Sequence, residues 1–327
     1  MSKVTLVTGA TGFTGGHIAQ RLAQCGERVR VFVRPNSQVR SLNTPGIEIV
    51  EGDLVDAKSV DKAVEGVDTI YHIAAMYRSA KHSDHEYWDV NVGGTERVLA
   101  AARRQGVRRV IHCSTIGVHG GITQIPADES SPFMPGDIYQ ETKLAAERLA
   151  RLTFRSGLPG VIVRPAGIYG PGDMRFLKLF TTIRNGRFRM FGSGEVYIHL
   201  VYIDDLVDGM LLCGKAESAV GKTYILGGKE YVTLNELSRM VAEATGVEKR
   251  IPHLPYWPLH MAAIACEGIC RPLRIEPPLH RRRAEFFVKN RAFSIERAQR
   301  DLGYRPAVDL RTGIDRTARW YEAQGLV

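Results

Sequence analysis

The sequence predicts an α/β chain built on a doubly wound parallel sheet, with helices on both faces and a smaller mixed C-terminal lobe. Three observations carry this. Apolar strand-like runs alternate with helical periods as far as about residue 170, the pattern of a parallel sheet covered on both sides. Gly9, Gly12 and Gly15 stand between a first strand and a first helix. Tyr139 and Lys143 lie four residues apart, one turn apart on a single helix face.

Lys3–Thr8 is short and apolar and reads as the leading strand. Ile18, Ala19 and Leu22 then set a helical period that ends near Gly26, and Arg28–Arg34 reads as the second strand. A third strand leads into Gly52-Asp53-Leu54, and a fourth ends at His72-Ile-Ala-Ala75. Asn91, in Asn-Val-Gly-Gly-Thr95, opens the next helix. Val107–Cys113 and Gly160–Arg164 read as buried strands, Leu200–Leu206 as a return to the sheet, and Thr223–Leu226 as a further short strand. The chain has 327 residues, long for one core and suited to two lobes. The expected division is a cofactor domain over 1–173, rejoined by 197–227, and a substrate lobe from 174–196 and 228–327.

The chain carries a formal charge of +9. Arg281-Arg-Arg283 is its only dense basic cluster and has no interleaved aromatic platform, so sites for an anionic cofactor explain the excess better than nucleic acid does. Leu254–Leu279 combines Trp, Leu, Ile and Pro with nearby arginines. Core packing is favoured for it, ahead of a lid over an apolar substrate or contact with a membrane surface. Its most apolar part, Trp257–Cys266, is far short of the ~20 residues that span a bilayer. Five cysteines are an odd number, and Cys266 and Cys270 have no accompanying ligand cluster. Reduced thiols and no metal are expected. No secretory or transit pattern is read ahead of the first strand, so the expected compartment is cytoplasmic.

The glycine turn is a site for a pyrophosphate. Glycine lets the backbone approach closely, and free amides at a helix N-terminus favour negative charge. A phenol with a pKa of about 10 is a poor base near pH 7. Lowering it by about three units needs roughly 4 kcal/mol of differential stabilisation. Lys143 and a cationic nicotinamide together could supply that.

On these residues the chain resembles the extended short-chain dehydrogenase/reductase superfamily, the NAD(P)-dependent epimerase/dehydratase group, over nearly all its length. The resemblance implies a Rossmann sheet and a catalytic set of Thr115, Tyr139 and Lys143. Thr115 is chosen within Cys113-Ser-Thr115 by register with Val118-His-Gly120. It further implies cofactor contacts from Gly9, Thr11, Gly12, Phe13, Gly15, Asp53, Leu54, Ala74 and Ala75. Pro165 and Ile168, in the Arg164–Asp173 segment that closes over the nicotinamide, would add to these, as would Tyr139 and Lys143 themselves. Val201-Tyr-Ile-Asp-Asp-Leu206 matches a later signature. The superfamily pairs the helices starting near Asn91 and Tyr139 across a two-fold axis. Val98, Leu99, Leu144, Leu149 and Leu152 supply apolar positions for such a homodimer.

Cofactor choice is read at the end of the second strand. NAD enzymes place a carboxylate there for the ribose 2′-hydroxyl. Here Val33 holds that position and Arg34 follows, and a guanidinium suits a 2′-phosphate. NADP is favoured over NAD, and the ending resembles dihydroflavonol reductases.

For the substrate, sugar-nucleotide relatives usually carry an arginine six residues before the first Asp of the Asp204-Asp205 pair, and this chain has Ile198. The segment from Arg283 to Ser294, followed by Ala298–Tyr304, resembles the 3β-hydroxysteroid dehydrogenase branch. An alcohol/ketone oxidoreductase acting on an apolar ring is therefore favoured, with a nucleotide-sugar epimerase/dehydratase as the alternative. Tyr77, His119, Arg175, Arg189 and Arg281 are the candidate substrate contacts. A non-catalytic cofactor-binding regulator would typically lack the Tyr–Lys pair, and the pair is present here.

Overall fold

The computed structural model describes residues 3–77, 82–248, 250–270, 278–279 and 281–327. The N-terminal strands and helices are β1 (Val4–Thr8), α1 (Phe13–Gln24), β2 (Arg28–Val33), β3 (Ile47–Glu51), α2 (Ala57–Val64), β4 (Val67–His72), α3 (Asp84–Trp88), α4 (Gly94–Arg104), β5 (Arg109–Cys113), α5 (Ile138–Arg155) and β6 (Gly160–Pro165). There follow β7 (Gly167–Tyr169), α6 (Leu177–Arg184), β8 (Met190–Phe191), β9 (Tyr197–Tyr202), α7 (Ile203–Lys215), β10 (Thr223–Leu226), β11 (Tyr231–Thr233) and α8 (Leu234–Ala244). The last elements are β12 (His253–Leu254), α9 (Tyr256–Cys270), α10 (Arg281–Glu285), α11 (Glu296–Leu302) and α12 (Leu310–Ala323).

Seven strands form the central sheet in the order β10-β6-β5-β4-β1-β2-β3, every pairing parallel. The order runs outward from β1 in both directions, so the chain winds twice from the middle. β1, β5 and β6 are buried along their whole length, as helices on both faces require. The C-terminal ends of β1, β4 and β5 therefore meet at one edge of the sheet, where a doubly wound fold binds its ligands.

The segment Leu200–Leu206 does not return to this sheet. β9 pairs with β7 and β11 in a separate three-stranded sheet, and β10 alone rejoins the central one. A Cβ on Gly167 would lie 2.6 Å from Leu200, so a glycine permits this close pairing. The strand stops at Tyr202 because Asp204 and Asp205 fall in the first turn of α7, where carboxylates stabilise a helix N-terminus.

The apolar stretch in the C-terminal lobe is not core. On α9 only Ala263 and Glu267 are buried, while Trp257, Met261, Ile264 and Ile269 are exposed. Residues 271–277 of the Leu254–Leu279 stretch lie outside the described residues. Among the described residues no helix is long and apolar enough to cross a membrane. Val98, Leu99 and Leu144, read as apolar positions for a two-fold face, are buried within the protomer. Of that set only Leu152 is fully exposed.

Candidate active site

The glycine turn is built by close approach. Gly9 has φ +74°, and a Cβ there would lie 2.7 Å from the Ala74 amide. A Cβ on Gly15 would lie 2.3 Å from the Gly9 carbonyl. Gly12 is different: its added Cβ would meet only the Gly9 carbonyl, at 3.3 Å. Gly12 is the N-cap of α1, makes no side-chain cap, and is followed by no acid in the first turn. The amides of Phe13 and its neighbours are thus left for an anion, and the cradle fits a diphosphate.

Beside it lies a cleft of about 490 Å³ lined by Thr11, Arg34, Asp53 and the turn Pro35–Gln38. The turn closes through Ser37 N–H to the Arg34 carbonyl at 3.1 Å, with Asn36 at φ 63°. Arg34 is exposed at the mouth and Val33 is buried behind it. Leu54 is buried against the start of α4.

A buried hydrogen-bonded chain ties this cradle to the next strands. The Ala74 amide donates to Thr8 Oγ1 at 3.2 Å, and Thr8 Oγ1 faces His72 Nδ1 at 2.9 Å. His72 Nε2 faces Thr95 Oγ1 at 3.1 Å, and Thr95 donates to the Asn91 carbonyl at 2.7 Å. Thr95 spends its proton on that carbonyl, so His72 carries its own proton on Nε2 and accepts from Thr8 on Nδ1. Burial, then the Lys143 charge, pushes His72 down to about 3, so it is neutral at working pH. Asn91 sits in the wide π turn Asp89–Gly93 between α3 and α4, a distortion common at functional sites. Its side chain accepts from Met76 N–H at 2.7 Å and donates to Thr142 Oγ1 at 3.0 Å.

Thr142 leads to the helix that carries Tyr139 and Lys143. α5 starts at an Asp137 cap that accepts from Gln140 N–H at 2.9 Å. Tyr139 follows one residue into the helix, half-buried, with Tyr77 edge-on at 5.0 Å. Lys143 is buried, and its Nζ donates to the Cys113 carbonyl at 2.5 Å. Burial lowers the Lys143 ammonium from its ordinary value, opposed by Cys113 and Glu147.

At the end of β5 the two adjacent hydroxyls divide. Ser114 is buried and donates to Glu147 at 2.6 Å. Thr115 is half-buried and accepts from Gly117 N–H at 3.0 Å. A Cβ placed on Gly117 would meet both Thr115 Oγ1, at 3.2 Å, and Gln140, at 3.3 Å. Thr115 and the first turn of α5 thus converge on one small space. A cleft beside it is lined by Gly117, Gly120 and Gln140 on one side and Lys289, Arg291 and Phe293 on the other.

A glycine cradle, a buried lysine one helical turn from a half-buried tyrosine, and a threonine at the adjacent strand end are an arrangement that can hold a dinucleotide and exchange a proton beside it. The model of the NAD dependent epimerase/dehydratase family matches residues 5–227. The chain belongs to that family. It is also 34% identical to sterol demethylase protein B of Methylococcus capsulatus, over 99% of each chain. Against 3 beta-hydroxysteroid dehydrogenase/Delta 5-->4-isomerase of Mycobacterium tuberculosis (strain H37Rv) it is 32% identical, over 97% of this chain and 90% of the other. The solved structure of gox2253 superposes with a TM-score of 0.83 and 32% identity, covering all of both chains. The protein is therefore an enzyme, an NAD(P)-dependent oxidoreductase of the extended short-chain type.

Within this epimerase/dehydratase frame the substrate candidates separate. Tyr77 stands at Tyr139. His119 lies beneath the site: it is buried, its Nε2 accepts from Arg164 at 3.0 Å, and its Nδ1 donates to the Pro132 carbonyl at 3.1 Å. Burial and the Arg164 charge hold it below its ordinary pKa. Arg189 folds onto the carbonyls of Gly186 and Phe188, each at 2.9 Å. Arg281 pairs with Glu267 at 3.0 Å, bracing α10 on α9. Arg175 lies over the Phe13 ring, on the cofactor side.

Sequence reasoning did not assign roles to His72, Thr8 and Thr95, nor to Lys289 and Arg291. The last two lie in the Arg283–Ser294 stretch, which was read only for its resemblance. Two cations in a motif far from the catalytic helix were the signal available. Ile198 is buried in β9 and pairs with Val232.

Proposed function

We propose that this enzyme interconverts a secondary alcohol and a ketone on an apolar ring of the sterol class, with NADP as the preferred dinucleotide. The observation that carries the substrate class is Ile198, buried in β9 where a diphosphate-binding arginine would stand. A buried diphosphate without charge-assisted partners is strongly penalised. The names of the sterol and hydroxysteroid relatives support the same class.

Tyr139 takes the proton from the substrate hydroxyl, or returns it to the ketone. Thr115 hydrogen-bonds the reacting oxygen and fixes its place. Lys143, held by the Cys113 carbonyl, keeps a positive charge beneath the phenol and favours its ionised form. A bound nicotinamide supplies the hydride exchange itself. The protein part of the work is orientation and proton transfer.

A nucleotide-sugar substrate is the second reading, and Lys289 and Arg291 in the cleft wall are the observation in its favour. Calorimetry with UDP, dTDP, GDP and a sterol-like 3β-alcohol, each in the presence of NADP, separates the two. Binding of the alcohol alone is the expected result. Micromolar binding of any nucleoside diphosphate would establish the second reading instead.

Arg34 supports the NADP preference, since it stands exposed at the cleft mouth with no carboxylate at the strand end. Arg34→Ala is expected to weaken NADP by about 1.5–3 kcal/mol, the range for hydrogen bonds to charged groups. NAD affinity should barely change. Equal losses for the two dinucleotides in parallel titrations would remove Arg34 from phosphate recognition.

A further inference from the structure

Arg175 follows the segment that ends at Gly-Asp173, and three contacts fix its side chain. Its Nε donates to Asp173 Oδ1 at 2.5 Å, and its own backbone N–H donates to the same oxygen at 3.2 Å. One terminal nitrogen donates to the Ile168 carbonyl at 2.9 Å. The guanidinium lies 5.4 Å from the centre of the Phe13 ring, a distance at which a cation and a ring face attract. The remaining terminal nitrogen has no partner among the described residues, and the side chain is 37% exposed. Asp173 is itself 1% exposed. Among the described residues its only side-chain partner is Arg175, for its second oxygen has none. Tyr321 of α12 in turn donates to the Asp173 carbonyl at 2.5 Å. A buried carboxylate with one half-exposed cation as partner holds that cation in place.

Phe13 is the first residue of α1, directly after the uncapped Gly12. The guanidinium is therefore held against the side chain of the residue that opens the helix whose first amides are free for an anion. We infer that Arg175 is a clamp on the diphosphate of the dinucleotide, closing over it from the side opposite the α1 amides. Two sources of positive potential then face one anion: the helix N-terminus from below and a fixed guanidinium from above. The clamp also links the two parts of the chain. Tyr321, in the last helix, holds Asp173, Asp173 holds Arg175, and Arg175 reaches the glycine turn. Arg175 thus leaves the set of substrate candidates.

Fragment binding tests this without turnover or knowledge of the substrate. ADP-ribose carries the diphosphate and no 2′-phosphate, while 2′-AMP carries the 2′-phosphate and no diphosphate. Arg175→Met should bind ADP-ribose about tenfold or more weakly, as loss of a charge-assisted contact implies, and should bind 2′-AMP as the parent does. Arg34→Ala should show the reverse pattern. Arg175→Lys, which keeps the charge but not the fork, should fall between parent and Met. Parent-like ADP-ribose binding by Arg175→Met would overturn the inference. So would equal losses of both fragments.

Discussion

Tyr139→Phe is expected to abolish measurable turnover, by about 10²–10⁴ in kcat, the usual worth of a positioned acid–base group. Dinucleotide affinity should stay near the parent value. The reason is local. The phenol oxygen is the only group lost, and the ring keeps its edge contact with Tyr77 at 5.0 Å. Lys143 keeps its bond to the Cys113 carbonyl, so the floor of the site is unchanged. Lys143→Ala should differ, losing both turnover and dinucleotide affinity, because it removes the charge beneath the phenol and the contact expected to the nicotinamide ribose. Single-turnover kinetics beside a dinucleotide titration distinguish the two variants. A Tyr139→Phe enzyme with parent kcat on its true substrate would sink the assignment.

Glu147→Ala is expected to cost about 3–5 kcal/mol of stability, the range for stranding one partner of a buried ion pair. Glu147 is on α5, 1% exposed, and meets Arg164 through two bonds, of 2.6 and 3.0 Å. Arg164 is fully buried on β6 and also donates to the Glu129 carbonyl at 2.9 Å. Without Glu147 its charge would face no anion, only that carbonyl, the neutral ring of His119 and the face of Phe133 at 4.9 Å. Ser114 would lose its acceptor as well, which loosens the strand end beside Thr115.

The same pair predicts a pH dependence. Burial alone would raise the Glu147 carboxyl, but Arg164, Ser114 and Arg151 outweigh it and hold the group below its ordinary value. A carboxyl whose folded pKa is depressed contributes stability that is full above its unfolded value and is lost as pH falls through the folded one. The parent should therefore lose stability in acid below about pH 4.3, the unfolded reference for Glu, and Glu147→Ala should show a flatter profile there. Denaturant midpoints across pH 3–7 measure both effects. A Glu147→Ala midpoint within error of the parent would show that the pair contributes nothing.

Much of the site is written in short motifs because its parts are local. A glycine turn must follow its strand and precede its helix, and Tyr139 and Lys143 need only helical spacing to share a face. Spacing alone does not choose between Ser114 and Thr115 for the proposed third group, since they are adjacent hydroxyls at a strand end. Just past the end of β5 the chain turns Ser114 into the core, where Glu147 accepts from it, and leaves Thr115 toward the cleft. The arginines could not be sorted from sequence at all. Arg175, Arg189 and Arg281 have the same chemistry, and only their neighbours distinguish them: a ring at the glycine turn, two loop carbonyls, and a buried glutamate.

The sequence by itself determined the parallel sheet, the positions of β1, β2, β5 and β6, the dinucleotide cradle and the Tyr–Lys pair. Each is signalled by residues close in the chain: strand-length apolar runs, a glycine spacing and a helical spacing. The tertiary structure decided what depends on residues far apart. It sent β9 to the small sheet, because Gly167 admits Leu200 at close range. It left α9 exposed despite its apolar composition, since a hydrophobic run shows what a segment can bury and not what surface is there to bury it. It also drew His72, Thr8, Thr95 and Asn91 into one buried chain between the cradle and the catalytic helix. Asn91 and Thr95 are one helical turn apart, but residues 8, 72 and 142 share no spacing with them. The long-range bonds among them exist because the fold places β1, β4, the start of α4 and α5 side by side.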